Sequence, residues 1–148
     1  MRARVAVRLV IDTSVLVTGM LSPFGPPARI VGLLATGRLE PCTDGRLLAE
    51  YESVLRRDHL RIDRTAVDEL LGIVRRYGVP TGAPPLEMEL PDPSDQPFIE
   101  VALAGGARCL VTGNGVRFPA DRCMGLPVLT PAELVKVMGR LGVAASLD

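Results

Sequence analysis

Apolar positions along the chain fall into two alternating patterns. The first is the short apolar run: Val5 to Ile11, broken only by Arg8, then Cys109-Leu110-Val111 within Arg108 to Thr112, and Leu126 to Leu129, beside which the mixed segment Leu39-Glu40-Pro41-Cys42 reads as a short second strand. Runs this short, rich in Val, Ile and Leu, suit strands buried on both faces. The second is a recurrence every three or four residues. Ile30, Val31, Leu33 and Leu34 predict a helix over about 28–36, opened by Pro26-Pro27 and stopped by Gly37. Leu47, Leu48, Tyr51, Val54 and Leu55 predict one over about 45–57, capped by Thr43 or Asp44. Val67, Leu70, Leu71 and Val74 predict a third, capped by Asp63 or Thr65 and ended by Gly78. Ser94 or Asp95 is expected to cap a helix over 98–104 that Gly105-Gly106 closes, and Thr130, Pro131 and Glu133 have capping-box spacing ahead of a helix over about 131–141. The first strand is expected to run into a loop at Asp12-Thr13-Ser14, followed by a turn marked by Pro23, Gly25, Pro26 and Pro27. Residues 80–93, punctuated by Pro80, Pro84, Pro85, Pro91 and Pro93, read as a second loop, and the tail after Gly142 as loose.

Strands alternating with helices predict an α/β fold: a twisted parallel sheet of about four to five strands with helices on both faces. At 148 residues the chain is one domain, 1–148, with an ordered core over about 5–141. Aromatics are only 3% against 47% hydrophobic residues, so the core is aliphatic. Formal net charge is zero, and no overall positive field advertises a nucleic-acid partner. A bound divalent cation can supply that charge locally. Three cysteines without a Cys-x-x-Cys pair and a single histidine do not make a zinc site. They read as reduced, buried thiols. No signal-peptide pattern and no apolar run near the roughly 20 residues of a membrane span are present, so a soluble, cytoplasmic protein is expected.

Ligands of open α/β sheets bind beyond the carboxyl ends of the strands. Asp12 follows the first strand directly, after Leu9-Val10-Ile11, where a carboxylate is poorly solvated and needs a partner or a metal. It could cap a helix, but Thr13 or Ser14 could do that instead. Glu50 borders the inward face of its helix, and taken alone it reads as an ordinary amphipathic boundary residue. Asp92 and Asp95, in Asp92-Pro93-Ser94-Asp95, are either turn residues or a ligand pair ahead of a helix. Asn114 follows the Cys109-Leu110-Val111 strand. Oxygen donors without a His or Cys cluster suit Mg²⁺ or Mn²⁺, and clustered carboxylates repel unless a cation sits between them. The fitting chemistry is metal-assisted phosphodiester hydrolysis. No Walker-type phosphate loop or Gly-x-Gly-x-x-Gly follows a strand, and His59 lies in a charged, exposed stretch.

The segments Ile11-Asp12-Thr13-Ser14-Val15, Leu48-Ala49-Glu50-Tyr51, Pro91-Asp92-Pro93-Ser94-Asp95 and Val111-Thr112-Gly113-Asn114 stand in the order found in PIN domains, and the chain resembles that family over about residues 9–138. Within it, the closest resemblance is to bacterial toxin components of toxin–antitoxin systems. The resemblance implies an Mg²⁺- or Mn²⁺-dependent endoribonuclease, a homodimer and a small antitoxin partner. It maps metal ligands onto Asp12, Glu50 and Asp95, with Asn114 where the family has a fourth acidic residue. Asp92 is a further candidate ligand. Thr13 and Ser14 are candidate contacts to substrate, and Arg29, Arg46 and Arg117 candidate contacts to the RNA backbone. The rival reading is a degenerate PIN module that binds RNA or a protein without cutting. A haloacid-type hydrolase ranks last, because Ser14 stands where such enzymes want a second Asp.

Overall fold

The computed structural model describes residues 6–87 and 89–141. Val5 and the tail after Gly142 lie outside them. Five parallel strands form one sheet in the order β3-β2-β1-β4-β5: β1 (Val7–Ile11), β2 (Leu39–Thr43), β3 (Val79–Pro80), β4 (Leu110–Val111) and β5 (Val128–Leu129). Register places Val7 beside Leu39 and Ile11 beside Val111. Leu9, Val10 and Ile11 are buried, as are Leu110 and Val111, because helices flank the sheet and leave no solvated face at its centre. The helices are α1 (Thr13–Leu21), α2 (Pro26–Ala35), α3 (Gly45–Leu55), α4 (Arg64–Tyr77), α5 (Gln96–Ala104) and α6 (Pro131–Arg140). The α/β expectation holds, and the three cysteines are free and buried.

Three expectations need correction. The segment after Asp12 is not a loop but α1. Thr13-Ser14-Val15-Leu16-Val17 has no polar face to betray a helical period, and its β-branched residues favour strand. Packing against α2 and α3 makes it helical. Residues 79–80 form a fifth strand, pairing Cys42 with Val79, too short and too close to Pro80 to stand out from the proline-rich segment. The side-chain cap expected on α5 is absent, with neither Ser94 nor Asp95 closing a cap bond, and no side chain caps α1 either. By contrast, the Asp44 side chain accepts from the Leu47 amide at 2.9 Å, Asp63 accepts from Ala66, and the Thr130–Glu133 capping box is complete.

The chain has β2 and β3 on one side of β1 and β4 and β5 on the other, so the winding reverses between β1 and β4. That reversal opens a crevice at the carboxyl ends of these two strands. α1, which leaves the crevice, is seated closely on α2. A Cβ built on Gly19 would lie 2.7 Å from the Pro27 carbonyl oxygen and 2.7 Å from Val31 Cγ2. Gly32, on the exposed side of α2, has nothing within 4 Å. Gly19→Ala is therefore expected to destabilise the fold by about 1–3 kcal/mol, since a backbone oxygen must move. Gly32→Ala should stabilise it by up to about 1 kcal/mol through helix propensity. Urea denaturation of both variants checks the opposite signs.

Candidate active site

Asp12 stands where β1 ends and α1 begins, with extended backbone angles and a side chain that caps nothing. Its carboxylate is withdrawn from water, at 0% exposure. All of its hydrogen bonds fall on Oδ2, which accepts from Ser14 Oγ at 2.9 Å, Thr112 Oγ1 at 2.8 Å and Arg117 Nη1 at 3.3 Å. Oδ1 is buried with no partner. A buried carboxylate oxygen left without a partner is costly and marks a place for a positively charged or donating group.

Asp95, 1% exposed, closes a 3₁₀ turn (Pro93–Asp95) that leads into α5. Its two oxygens accept from Arg117, Oδ2 from Nε at 2.8 Å and Oδ1 from Nη2. One guanidinium thus joins carboxylates that lie far apart along the chain. Arg117 is held far above its ordinary pKa, first by the Asp95 hydrogen bonds and then by the charge on Asp12, so it stays protonated. Its reach is fixed by a 3₁₀ turn, Gly115–Arg117, just beyond β4, and by the guanidinium lying 5.6 Å from the centre of the Phe118 ring.

Glu50 is half-buried on α3, and Thr13 Oγ1 donates to its Oε2 at 2.9 Å. Asp12, Thr13, Ser14, Glu50 and Arg117 share one open cleft of about 330 Å³, with Arg57 also in its lining. α3 is anchored beneath this cleft by Tyr51, whose buried hydroxyl donates to the Ile11 carbonyl at 2.6 Å. Burial, then the nearby Asp12, drives the phenol well above its usual pKa, so it remains a donor.

Other candidates are placed elsewhere or are otherwise engaged. Asn114 is exposed, is not in the wall of the cleft, and bonds through its backbone amide to Thr112 Oγ1 at 3.0 Å. Asp92 is exposed, and its Oδ1 accepts from the Ser94 amide and hydroxyl, which hold its carboxyl below the usual range. Thr13 and Ser14 line the cleft but spend their hydroxyls on Glu50 and Asp12. Arg46 is tied to Asp44 and Glu100, while Arg29 is exposed without an ion pair among the described residues. Sequence reasoning missed Thr112 and Arg57, and it placed Arg117 on RNA rather than on the carboxylates. The one available signal for Thr112 is its position directly after β4, the strand paired with β1.

The donor set fits a hard divalent cation: oxygens alone, one of them buried and unpartnered. The space between Asp12 and Asp95 is spanned by Arg117, and among the described residues no three Asp, Glu, His or Cys side chains are drawn into one metal-holding group.

A family model described as the PIN domain matches residues 8–115, well over half of the chain. The chain belongs to the PIN domain family. Compared with curated proteins it has no match. PIN domains are generally nucleases that bind RNA and use divalent metals, which places this chain among the hydrolases. Among the described residues no helix is long and apolar enough to cross a membrane. The family match ends at Gly115, and Arg117 lies two residues beyond it. Arg117→Gln, which leaves two buried carboxylates facing each other, is expected to cost about 2–4 kcal/mol in EDTA. Chemical denaturation at neutral pH measures it, and an unchanged midpoint would contradict the counter-ion role.

Proposed function

We propose that this PIN domain is an endoribonuclease that hydrolyses RNA phosphodiesters with Mg²⁺ or Mn²⁺, using Asp12, Glu50 and Asp95. The observation that carries the reading is the pair of water-excluded carboxylates at the crevice, one with a bare buried oxygen, already balanced by a cation of the protein's own. Asp12 and Asp95 would hold the ion, with Glu50 completing its oxygen shell or orienting the attacking water. When bound, such an ion lowers the pKa of that water and offsets charge on the leaving oxygen. The protein's own groups do the positioning. Ser14 and Thr112 fix the Asp12 carboxylate from two sides, so its bare oxygen keeps one direction. Thr13 steadies Glu50 at the rim. Arg117, released from the carboxylates, is within the same cleft to meet a phosphate oxygen as a planar fork. Asn114, exposed, is assigned no more than an outer supporting role, and Asp92 serves its turn.

The family resemblance within PIN domains supports a role as the toxin of a type II toxin–antitoxin pair, acting as a cytoplasmic homodimer restrained by a small antitoxin. Exposed Leu21 and Phe24 at the α1–α2 corner, and Val116 beside Arg117, supply apolar surface for such partners. A second reading, a degenerate module that binds without cutting, draws support from Arg117 spanning the carboxylates and from the uncharged Asn114.

Purified protein incubated with single-stranded RNA and Mn²⁺ should cut it, and EDTA should stop the reaction. Asp12→Asn should lower the rate by at least about 100-fold while circular dichroism shows the native fold. Full activity in that variant sinks the site assignment. A folded wild type that cuts none of several RNAs gives the degenerate module the better claim.

A further inference from the structure

We propose that a second cleft, at the corner between α3 and α4, is a phosphate subsite for the RNA strand that runs on from the carboxylate cleft. This deepens the nuclease reading and rests on it. The cleft has a volume of about 350 Å³, and its charged lining is Arg56, Arg57, Asp58, Arg61 and Arg64, four guanidinium groups against one carboxylate. Arg56 is committed to Glu52 and Asp68. Arg57, Arg61 and Arg64 are exposed and make no ion pair among the described residues. In a chain with as many acidic as basic residues, three unpaired arginines share the lining of one cleft with a single carboxylate, while Glu52, Asp63 and Asp68 stand outside that lining.

The excess opposes the fold itself. Arg64 is the first residue of α4, where the helix dipole already concentrates positive charge that favours anions and disfavours cations. Asp63 caps that end and Asp58 lines the cleft, so two carboxylates stand against the three unpaired arginines. Arg61 holds a left-handed backbone, φ 54°, a conformation that glycine adopts without strain. An anion in this cleft relieves the repulsion and meets guanidinium forks shaped for phosphate oxygens.

Continuity decides which anion. Arg57 lines both this cleft and the one holding Asp12 and Glu50, so the two share a wall. Along the chain Glu50 and Arg57 are about two helical turns apart. A strand whose scissile phosphate sits at the carboxylates would carry a neighbouring phosphate across Arg57 toward Arg61 and Arg64. Among the described residues no aromatic lines either cleft, so the described lining offers bases no stacking platform. The subsite therefore reads charge, not sequence, and it sets where the strand lies.

The test is fluorescence anisotropy in EDTA with a labelled, unstructured RNA of about 12 nucleotides. Arg61→Gln/Arg64→Gln should bind about tenfold more weakly than wild type, with a log–log salt slope shallower by about 1.4, the value for two lost phosphate contacts. Arg57→Gln should weaken binding in the same direction. All three side chains are exposed, so thermal melts should match wild type. Asp12→Asn should bind at least as tightly as wild type. Unchanged affinity and salt slope in the double variant overturn the proposal, including the case in which those arginines instead hold an acidic peptide such as poly-glutamate. If wild type and Asp12→Asn both bind through these arginines but wild type never cuts in Mn²⁺, the phosphate site stands and the nuclease reading falls.

Discussion

Two carboxylates taken out of water at the same crevice need a positive charge between them, and everything else about this molecule's site answers that need. Asp12 and Asp95 are 0% and 1% exposed. Unpaired, each would face a desolvation penalty of several kcal/mol. Arg117 meets both, forking onto Asp95 and reaching Asp12 at 3.3 Å. The arrangement is asymmetric. Asp95 has both oxygens satisfied, whereas Asp12 has three donors on one oxygen and none on the other. A guanidinium therefore balances the pair without completing it. A hard cation, which PIN nucleases generally use, would contact the oxygen that Arg117 leaves bare.

The sheet is what brings these groups together. β1 delivers Asp12 and β4 delivers Thr112 to adjacent strand ends, because the winding reverses between them. The turn after β4 then carries Arg117 back over the crevice, and the proline-led turn before α5 brings Asp95 up from its other side. α3 contributes Glu50 and is fixed in place by Tyr51 on the last carbonyl of β1. The close seat of α1 on α2, which Gly19 permits, keeps Thr13 and Ser14 at the mouth. Although the chain carries no net charge, its charged groups are unevenly placed: Asp12 and Glu50 line one cleft with Arg57 and Arg117, and arginines outnumber carboxylates four to one in the lining of the next.

Much of the frame was legible because local chemistry set it. The apolar run ahead of Asp12, the one-sided face of α4, and the Thr130–Glu133 spacing each have a single good structural solution. The helix α1 was not legible, since an apolar segment without a polar face has no readable period and owes its shape to α2 and α3. β3 was hidden by its two-residue length. In the site, Asp12 stood out by type and by its position at the end of β1, whereas Asp95 was open between turn residue and ligand until the family resemblance marked it. The Thr112 and Arg117 contacts to Asp12 did not stand out, spanning 100 and 105 residues. Asn114 attracted notice by its place after β4, yet the chain turns it outward and gives the inward position to Arg117.

The central claim is that Asp12 and Asp95 form a cation site that Arg117 fills from within. Isothermal titration of Mn²⁺ into wild type, Arg117→Gln and Asp12→Asn tests it most directly, with no dependence on finding the right RNA. Removing the internal competitor should tighten Mn²⁺ binding by about tenfold, and removing the bare carboxylate should abolish it. Equal affinity in all three proteins, or weaker binding in Arg117→Gln than in wild type, would contradict the account.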